Sequence, residues 1–426
     1  MSISVTFNSA HRILLASDFF MARRPVMDRE QNLVAHELMF FSDDRIIADS
    51  GDAGERPASR TVITDVYQHG MARVIGDLVG ILYVDPQTIM GDVFDFLPPT
   101  KLVMEIADVH AVTPALLERL AELNRKGFHF ALVDNNGAVD LSDLLPFVDG
   151  VRIDVTGKSE VELARLCAAY APLGKRLLAE KVDTHEQFQV CYRLGFDYFQ
   201  GYYFTVPVFA EGRKLAPSPL AIMSLLALIV SDADNAEIED RIKGNVSLGL
   251  NLLRLANTPA FSTHRIDSLR QALMVLGRNQ LQRWLQVMLY ADNGNQGAIA
   301  MPLLDLATTR GRLMELLAQK LKPGNRGFAD TGFTIGIMSL MDSLFGLPME
   351  QILEQIPVVD EVADALLRRE GYFGQLLRLV EYTEWHSKTD TQLLQAIRDL
   401  RLSHNDLYLL QLAAFEWSDH VTRGVR

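Results

Sequence analysis

The sequence predicts a two-part chain: a TIM-like (β/α)8 barrel opened by an antiparallel hairpin, then an all-helical domain. Three observations carry this prediction. From about residue 19 to 210, short apolar runs alternate with amphipathic helical segments, the grammar of a parallel sheet covered by helices. Beyond VPVFAEGRKLAPSP (206–219), rich in Pro and Gly, strand signals nearly vanish and three- and four-residue apolar spacing takes over. At 426 residues the chain is also too long for one ordinary core. The expected division is a leader over 1–18, the barrel over 19–210 and the helical domain over 211–426.

The elements follow in order. FFMARRPVMDREQNLVAHELMFF (19–41) reads as two strands separated by the turn-prone DREQN, an antiparallel hairpin. The later strands are GILYVDP (80–86), KLVMEIA (101–107), FHFALVD (128–134), GVRIDV (150–155), RLLAEKV (176–182) and FDYFQGYYF (196–204). Helices lie between most of them: TPALLERLAELNRKG (113–127) with Gly127 as its stop, SEVELARLCAAYAPLG (159–174) and HEQFQVCYRLG (185–195). In the second half, helical period runs through 245–259, 268–290, 303–321, 333–346, 360–371, 373–385 and 391–402.

Composition narrows the function classes. An apolar content of 48% and a charged content of 22% belong to a globular chain. The net charge of −13 argues against nonspecific nucleic-acid binding, which needs a basic footprint. LAIMSLLALIV (220–230) is too short to span a bilayer, and MSISVTFNSAHR lacks the pattern of a secretory signal, so a cytoplasmic protein is expected. Cys167 and Cys191 fall in apolar helical contexts and read as buried free thiols.

In a (β/α)8 barrel, chemistry sits where the strands end. Those ends deliver Glu37, Glu105, Asp134, Asp154, Glu180 and Gln200 to one rim. Any one alone reads equally well as a surface carboxylate or an ion pair. Their convergence is what a divalent-metal site requires. Arg23 and Arg24, near the barrel entrance, read as solvated charge or as a contact for an anion.

Six motifs in order give these residues a family likeness. The first half resembles the EAL domain, the barrel that hydrolyses the bacterial messenger cyclic di-GMP. ELMFF (37–41) is similar to its EALLR stretch, MEIAD (104–108) to its ExTE strand and VDNNGA (133–138) to its DDFGTG loop. RID (152–154) resembles its KID strand, AEKVD (179–183) its AEGVE, and Gln200-Gly201-Tyr202 is its QGY turn. In active members these strand ends hold two divalent cations that generate a hydroxide at the phosphodiester. By that resemblance, Glu37, Glu105, Asp134, Glu180 and Gln200 match the family's site. Tyr83 stands for its metal-binding Asn, Val133 for the first Asp of the DD pair and Arg152 for the lysine of KID. Asp183 stands for the second acid of AEGVE, and Phe41 for the phosphate-contacting Arg. The resemblance therefore implies a remnant site that no longer catalyses hydrolysis and holds cyclic di-GMP weakly.

The helical half lacks the metal chemistry of HD phosphohydrolases: no His-Asp dipeptide occurs in the chain, and His264, His386, His404 and His420 are scattered without ligand spacing. SLGLNLLRLANTPAF (247–261) and SLRQALMVLGRNQLQRWL (268–285) resemble the HDOD domain, a helical relative without those ligands. IMSLMDSLF (337–345) reads either as core or as an adaptable partner groove. The expectation is a non-catalytic bacterial signalling protein, a degenerate EAL barrel joined to an HDOD domain and acting through protein partners. Two alternatives are a phosphodiesterase with an altered Mg or Mn site around Glu37, Glu105, Asp134 and Glu180, and a receptor that binds cyclic di-GMP without cutting it. By analogy with EAL barrels, a homodimer is plausible.

Overall fold

The computed structural model describes residues 19–42, 71–95, 99, 101–107, 109–134, 140–204, 217–258, 261–262, 264–291, 300–356, 358–384 and 390–423. The leader over 1–18, the loop residues Asn135, Asn136 and Gly137, most of the expected interdomain stretch, and His386 lie outside them. Among the described residues, eight strands close into a barrel in sequence order. They are β1 (Phe19–Met27), β2 (Leu33–Ser42), β3 (Val79–Val84), β4 (Leu102–Ile106), β5 (His129–Val133), β6 (Gly150–Asp154), β7 (Arg176–Glu180) and β8 (Tyr198–Phe199).

The predicted hairpin is present, with β1 antiparallel to β2. Asp28 fixes its turn by accepting from the Asn32 amide at 2.7 Å, while Gln31 takes a left-handed φ of 60°. β1 also pairs antiparallel with β8, and this contact closes the ring. From β2 to β8 every neighbouring pair is parallel. Side chains alternate between barrel interior and helical layer along each strand. Glu37, Glu105 and Arg152 therefore face inward, and their chain neighbours His36, Met104 and Val151 face outward.

The barrel helices are α1 (Met71–Ile75), α2 (Pro86–Met90), α3 (Pro114–Arg125), α4 (Glu160–Tyr170) and α5 (His185–Leu194). Their starts follow from the sequence. Thr113 caps α3 ahead of a Pro, and Ser159 with Glu162 and Thr184 with Gln187 form capping boxes on α4 and α5. Cys167 and Cys191 are buried on α4 and α5.

Among the described residues the second half forms helices without strands: α6 (Pro217–Val230), α7 (Asn235–Lys243), α8 (Val246–Ala256), α9 (Leu269–Ala291), α10 (Ala300–Leu321), α11 (Arg326–Met338) and α12 (Met341–Phe345). α13 (Met349–Leu353), α14 (Asp360–Arg368), α15 (Gly371–Glu384), α16 (Asp390–Asp399) and α17 (His404–Arg423) complete it. The single helix expected over 333–346 is broken. α11 stops at Met338, where the Ser339 hydroxyl donates to the Gly336 carbonyl and accepts from Arg310. Ile337, Met338, Leu340, Met341, Leu344 and Phe345 are all buried, so IMSLMDSLF is core and not a groove. α10 and α11 touch through glycines: a Cβ on Gly336 would lie 2.6 Å from the Gly311 Cα.

α17 has no counterpart among the segments read from periodicity, and it ties the halves together. It packs on α10 and also against β1 and α1. Tyr408, Leu412 and Phe415 join the barrel cluster that contains Leu38 and Val74. α17 thus covers the outer face of the first hairpin.

Candidate functional site

The inward faces of the strands bring together an amide, three carboxylates and one cation, with Glu37 at the middle of β2 and not at its end. Arg152, on β6, is the centre. Its Nε donates to Glu105 Oε1 at 2.8 Å, and its Nη1 donates to Gln200 Oε1 at 3.0 Å and Glu37 Oε1 at 3.3 Å. Glu180 Oε1 lies 3.6 Å from the same Nη1. Gln200 Nε2 donates to Glu37 Oε2 at 2.9 Å, and Arg24 approaches that oxygen from β1 at 3.8 Å. The Arg152 side chain is only 3% exposed and that of Glu105 only 5%, so the contacts are made largely out of water.

Four expected site residues, Glu37, Glu105, Glu180 and Gln200, thus meet on a guanidinium. Asp134 does not join them. Its amide donates to the Arg152 carbonyl at 2.9 Å, while its carboxylate accepts from Tyr170 Oη at 3.4 Å. Asp154 is held by Lys181 Nζ at 2.7 Å and by the Thr156 amide at 2.9 Å. Asp183 is engaged in a turn, accepting from the Tyr202 amide at 3.1 Å. Val133 lies beside Arg152 in register and Tyr83 beside Glu105, so an apolar and a phenolic side chain flank the cluster. Phe41 pairs with Phe20 one residue before the end of β2, and its side chain is outside the described residues.

Glycine is required in the turn that sets Gln200. Gly201 has φ of +156°, and a Cβ there would fall 2.2 Å from the Val182 carbonyl oxygen. Lys181, where the resembling motif has glycine, sits at a left-handed φ of 61°. Its bond to Asp154 accompanies that conformation.

Electrostatics agree with the geometry. Burial works against charge on Arg152, but Glu105, Glu37 and Glu180 outweigh it and hold its pKa above the ordinary value. One guanidinium cannot neutralise three carboxylates. Burial, with Glu37 and Glu180 adding repulsion against the pull of Arg152, raises the Glu105 carboxyl from 4.5 to about 7. The folded protein therefore retains a proton between pH 4.5 and 7 that the unfolded chain releases, and stability falls as pH rises through that window. Glu105→Gln removes this dependence. Urea unfolding at pH 4.5 and pH 8 is expected to show the variant gaining about 3 kcal/mol on wild type over that range. Parallel pH profiles for the two proteins would contradict the assignment.

The carboxylates and amide that could ligate a divalent cation hold a guanidinium. Among the described residues, no three His, Cys, Asp or Glu side chains are grouped as such an ion needs.

A second buried cluster lies on the outer face of the same hairpin. Arg23 is not solvated: its Nη1 donates to Asp419 Oδ1 of α17 at 3.0 Å, and its Nη2 to Asp305 Oδ1 of α10 at 3.3 Å. The Arg23 guanidinium also stacks over the Phe415 ring at 4.2 Å. His36 Nε2 meets Asp305 Oδ2 at 3.2 Å, and Ser418 Oγ donates to Asp305 Oδ1 at 3.1 Å. Burial and Arg23 lower the His36 pKa. Burial also pushes Asp305 upward, but Arg23 and His36 outweigh it and hold that carboxyl well below its usual range. Sequence reasoning missed this junction, since Asp305 looks like an ordinary acid of a helical segment and Asp419 falls in no segment read from periodicity.

Comparison with known proteins follows the same division. Residues 85–207 match the family model of the EAL domain, and residues 215–348 that of the HDOD domain. YuxH, an uncharacterized protein of Bacillus subtilis (strain 168), is 28% identical over 407 residues, covering 93% of this chain and 97% of YuxH. The cyclic di-GMP phosphodiesterase CdgJ of Vibrio cholerae is 26% identical over 409 residues, covering 95% of this chain and 93% of CdgJ. Among solved structures, the Klebsiella pneumoniae BlrP1 complex with calcium and cyclic di-GMP is 18% identical, with a TM-score of 0.38 over 47% of this chain and 58% of that one. The PaMucR phosphodiesterase complex with cyclic di-GMP is 16% identical, with a TM-score of 0.37 over 46% of this chain and 98% of that one. No described helix is long and apolar enough to cross a membrane.

Proposed function

We propose that this chain, an EAL domain followed by an HDOD domain, is a non-catalytic protein of cyclic di-GMP-related signalling that acts through protein partners. The relationship to CdgJ supports the signalling context. The observation that carries the non-catalytic reading is Arg152. Its fixed positive charge takes up Glu37, Glu105, Glu180 and Gln200, the groups that the resembling family turns toward cations. A guanidinium supplies charge but no coordination site for water, so these residues hold the barrel together without generating a nucleophile.

Strand alternation supports a route for the signal. Glu37 faces the mouth while its neighbour His36 faces α10; Arg24 faces Glu37 while Arg23 faces α10 and α17. A partner or nucleotide that shifts Arg24 or Glu37 acts one peptide bond away from the junction with the helical domain. Arg24 and Lys181, the latter 55% exposed, offer positive charge to an anionic ligand at the mouth and favour a receptor as the second reading.

Incubation of the full chain with cyclic di-GMP and Mg²⁺ or Mn²⁺ is expected to release no linear dinucleotide. Turnover that disappears in Glu37→Ala would overturn the proposal. Calorimetry with the same nucleotide then separates the two non-catalytic forms. Saturable binding lost in Arg24→Ala assigns a receptor, and no heat of binding assigns a scaffold that reads protein partners alone.

A further inference from the structure

A (β/α)8 barrel normally fills its interior with layers of bulky side chains. Here the layer below Arg152 and Glu105 is thin. Ala35 on β2, Ala131 on β5 and Gly150 on β6 stand where branched residues usually meet. Gly150 cannot be larger, because a Cβ there would lie 2.8 Å from the Arg176 carbonyl oxygen. The result is a cavity of about 240 Å³ at the N-terminal end of the barrel, completed by Val103, Leu178 and Tyr198. Val103, Ala131 and Tyr198 are half-buried although the alternation of their strands aims them at the barrel axis.

We propose that this cavity is a binding site for a small, uncharged, largely apolar molecule, of roughly benzene to indole size. The class follows from the lining. Aliphatic walls dominate, and each charged lining group already has a partner: Arg152 and Glu105 at the inner end pair at 2.8 Å, while Arg176 and Asp149 at the open end pair with Asp197 at 3.3 Å and His129 at 2.8 Å. An apolar cavity of roughly 150 Å³ stays dry and accepts benzene, so this one has room for a bicyclic ring. The Tyr198 ring supplies an aromatic edge for such a guest. The site opens at the opposite end of the barrel from the mouth formed by Arg24 and Lys181, and Arg152 and Glu105 stand between the two.

Thermal unfolding of the full chain with indole tests the site. The midpoint is expected to rise by about 1–2 °C once indole exceeds its Kd tenfold. Benzoate, of similar size but charged, is expected to produce no rise. Ala131→Leu fills the cavity and should abolish the response to indole; if circular dichroism shows that this variant does not fold, the milder Ala35→Val decides. No rise in wild type overturns the proposal, and so does an undiminished rise in the folded filling variant. A rise with benzoate equal to that with indole overturns the ligand class.

Discussion

Arg152→Ala is expected to destabilise the protein by about 3–5 kcal/mol, the loss that follows when one partner of a buried ion cluster is removed. Glu37, Glu105 and Glu180 would remain within a few ångströms of one another with no central counter-charge. The same variant is expected to gain what wild type lacks. With the guanidinium removed, the Glu37, Glu180 and Gln200 side chains that meet at its Nη1 are left without a cation, so millimolar Mn²⁺ or Mg²⁺ should raise its denaturation midpoint. Wild type should show no such response. Arg152→Lys keeps the charge but presents one ammonium in place of a fork, and its loss should be smaller. Urea titrations of the three proteins, with and without divalent ions, measure all of this. An Arg152→Ala protein as stable as wild type would remove Arg152 from the centre of the account.

Removal of Arg23 should have an effect of similar size. Arg23→Ala leaves Asp305 and Asp419 buried opposite His36 alone and deletes the stack on Phe415. A loss of about 3–5 kcal/mol is expected. Because these contacts join β1 to α10 and α17, it should appear in calorimetry as separation of one unfolding transition into two. A double-mutant cycle with Asp305→Asn should return a coupling energy of about 1 kcal/mol or more. A single unshifted transition would mean that apolar packing of Tyr408, Leu412 and Phe415 alone holds the halves together.

Much of this was legible in the sequence, and the reasons differ by element. The alternation of apolar runs and capped helices reports local physics, and it gives the barrel strands and most helices. Polar groups at or near the ends of apolar runs marked Glu105, Glu180 and Gln200, whereas Glu37, read as a strand end, sits in the middle of β2. The meaning of Arg152 was not legible, because its partners come from β2, β4, β7 and β8, up to 115 residues away. In one dimension it is a lysine replaced by an arginine. In three it is the cation of the site. Asp134, by contrast, has a family match yet stays out of the cluster, bound to Tyr170 of α4. Arg23 reads as solvated charge because the sequence gives no hint that α17, nearly 400 residues later, docks over it. Lys181 illustrates the remaining difficulty: a left-handed position held by a lysine carries no glycine to announce the turn.

The central claim is that a guanidinium, not a metal ion, organises the mouth of the barrel. Calorimetric titration of the wild-type chain with Mn²⁺ at neutral pH tests it most directly. No saturable binding is expected at this site, and the same flat trace is expected in Glu105→Gln. Stoichiometric binding to wild type that vanishes in Glu105→Gln would contradict it.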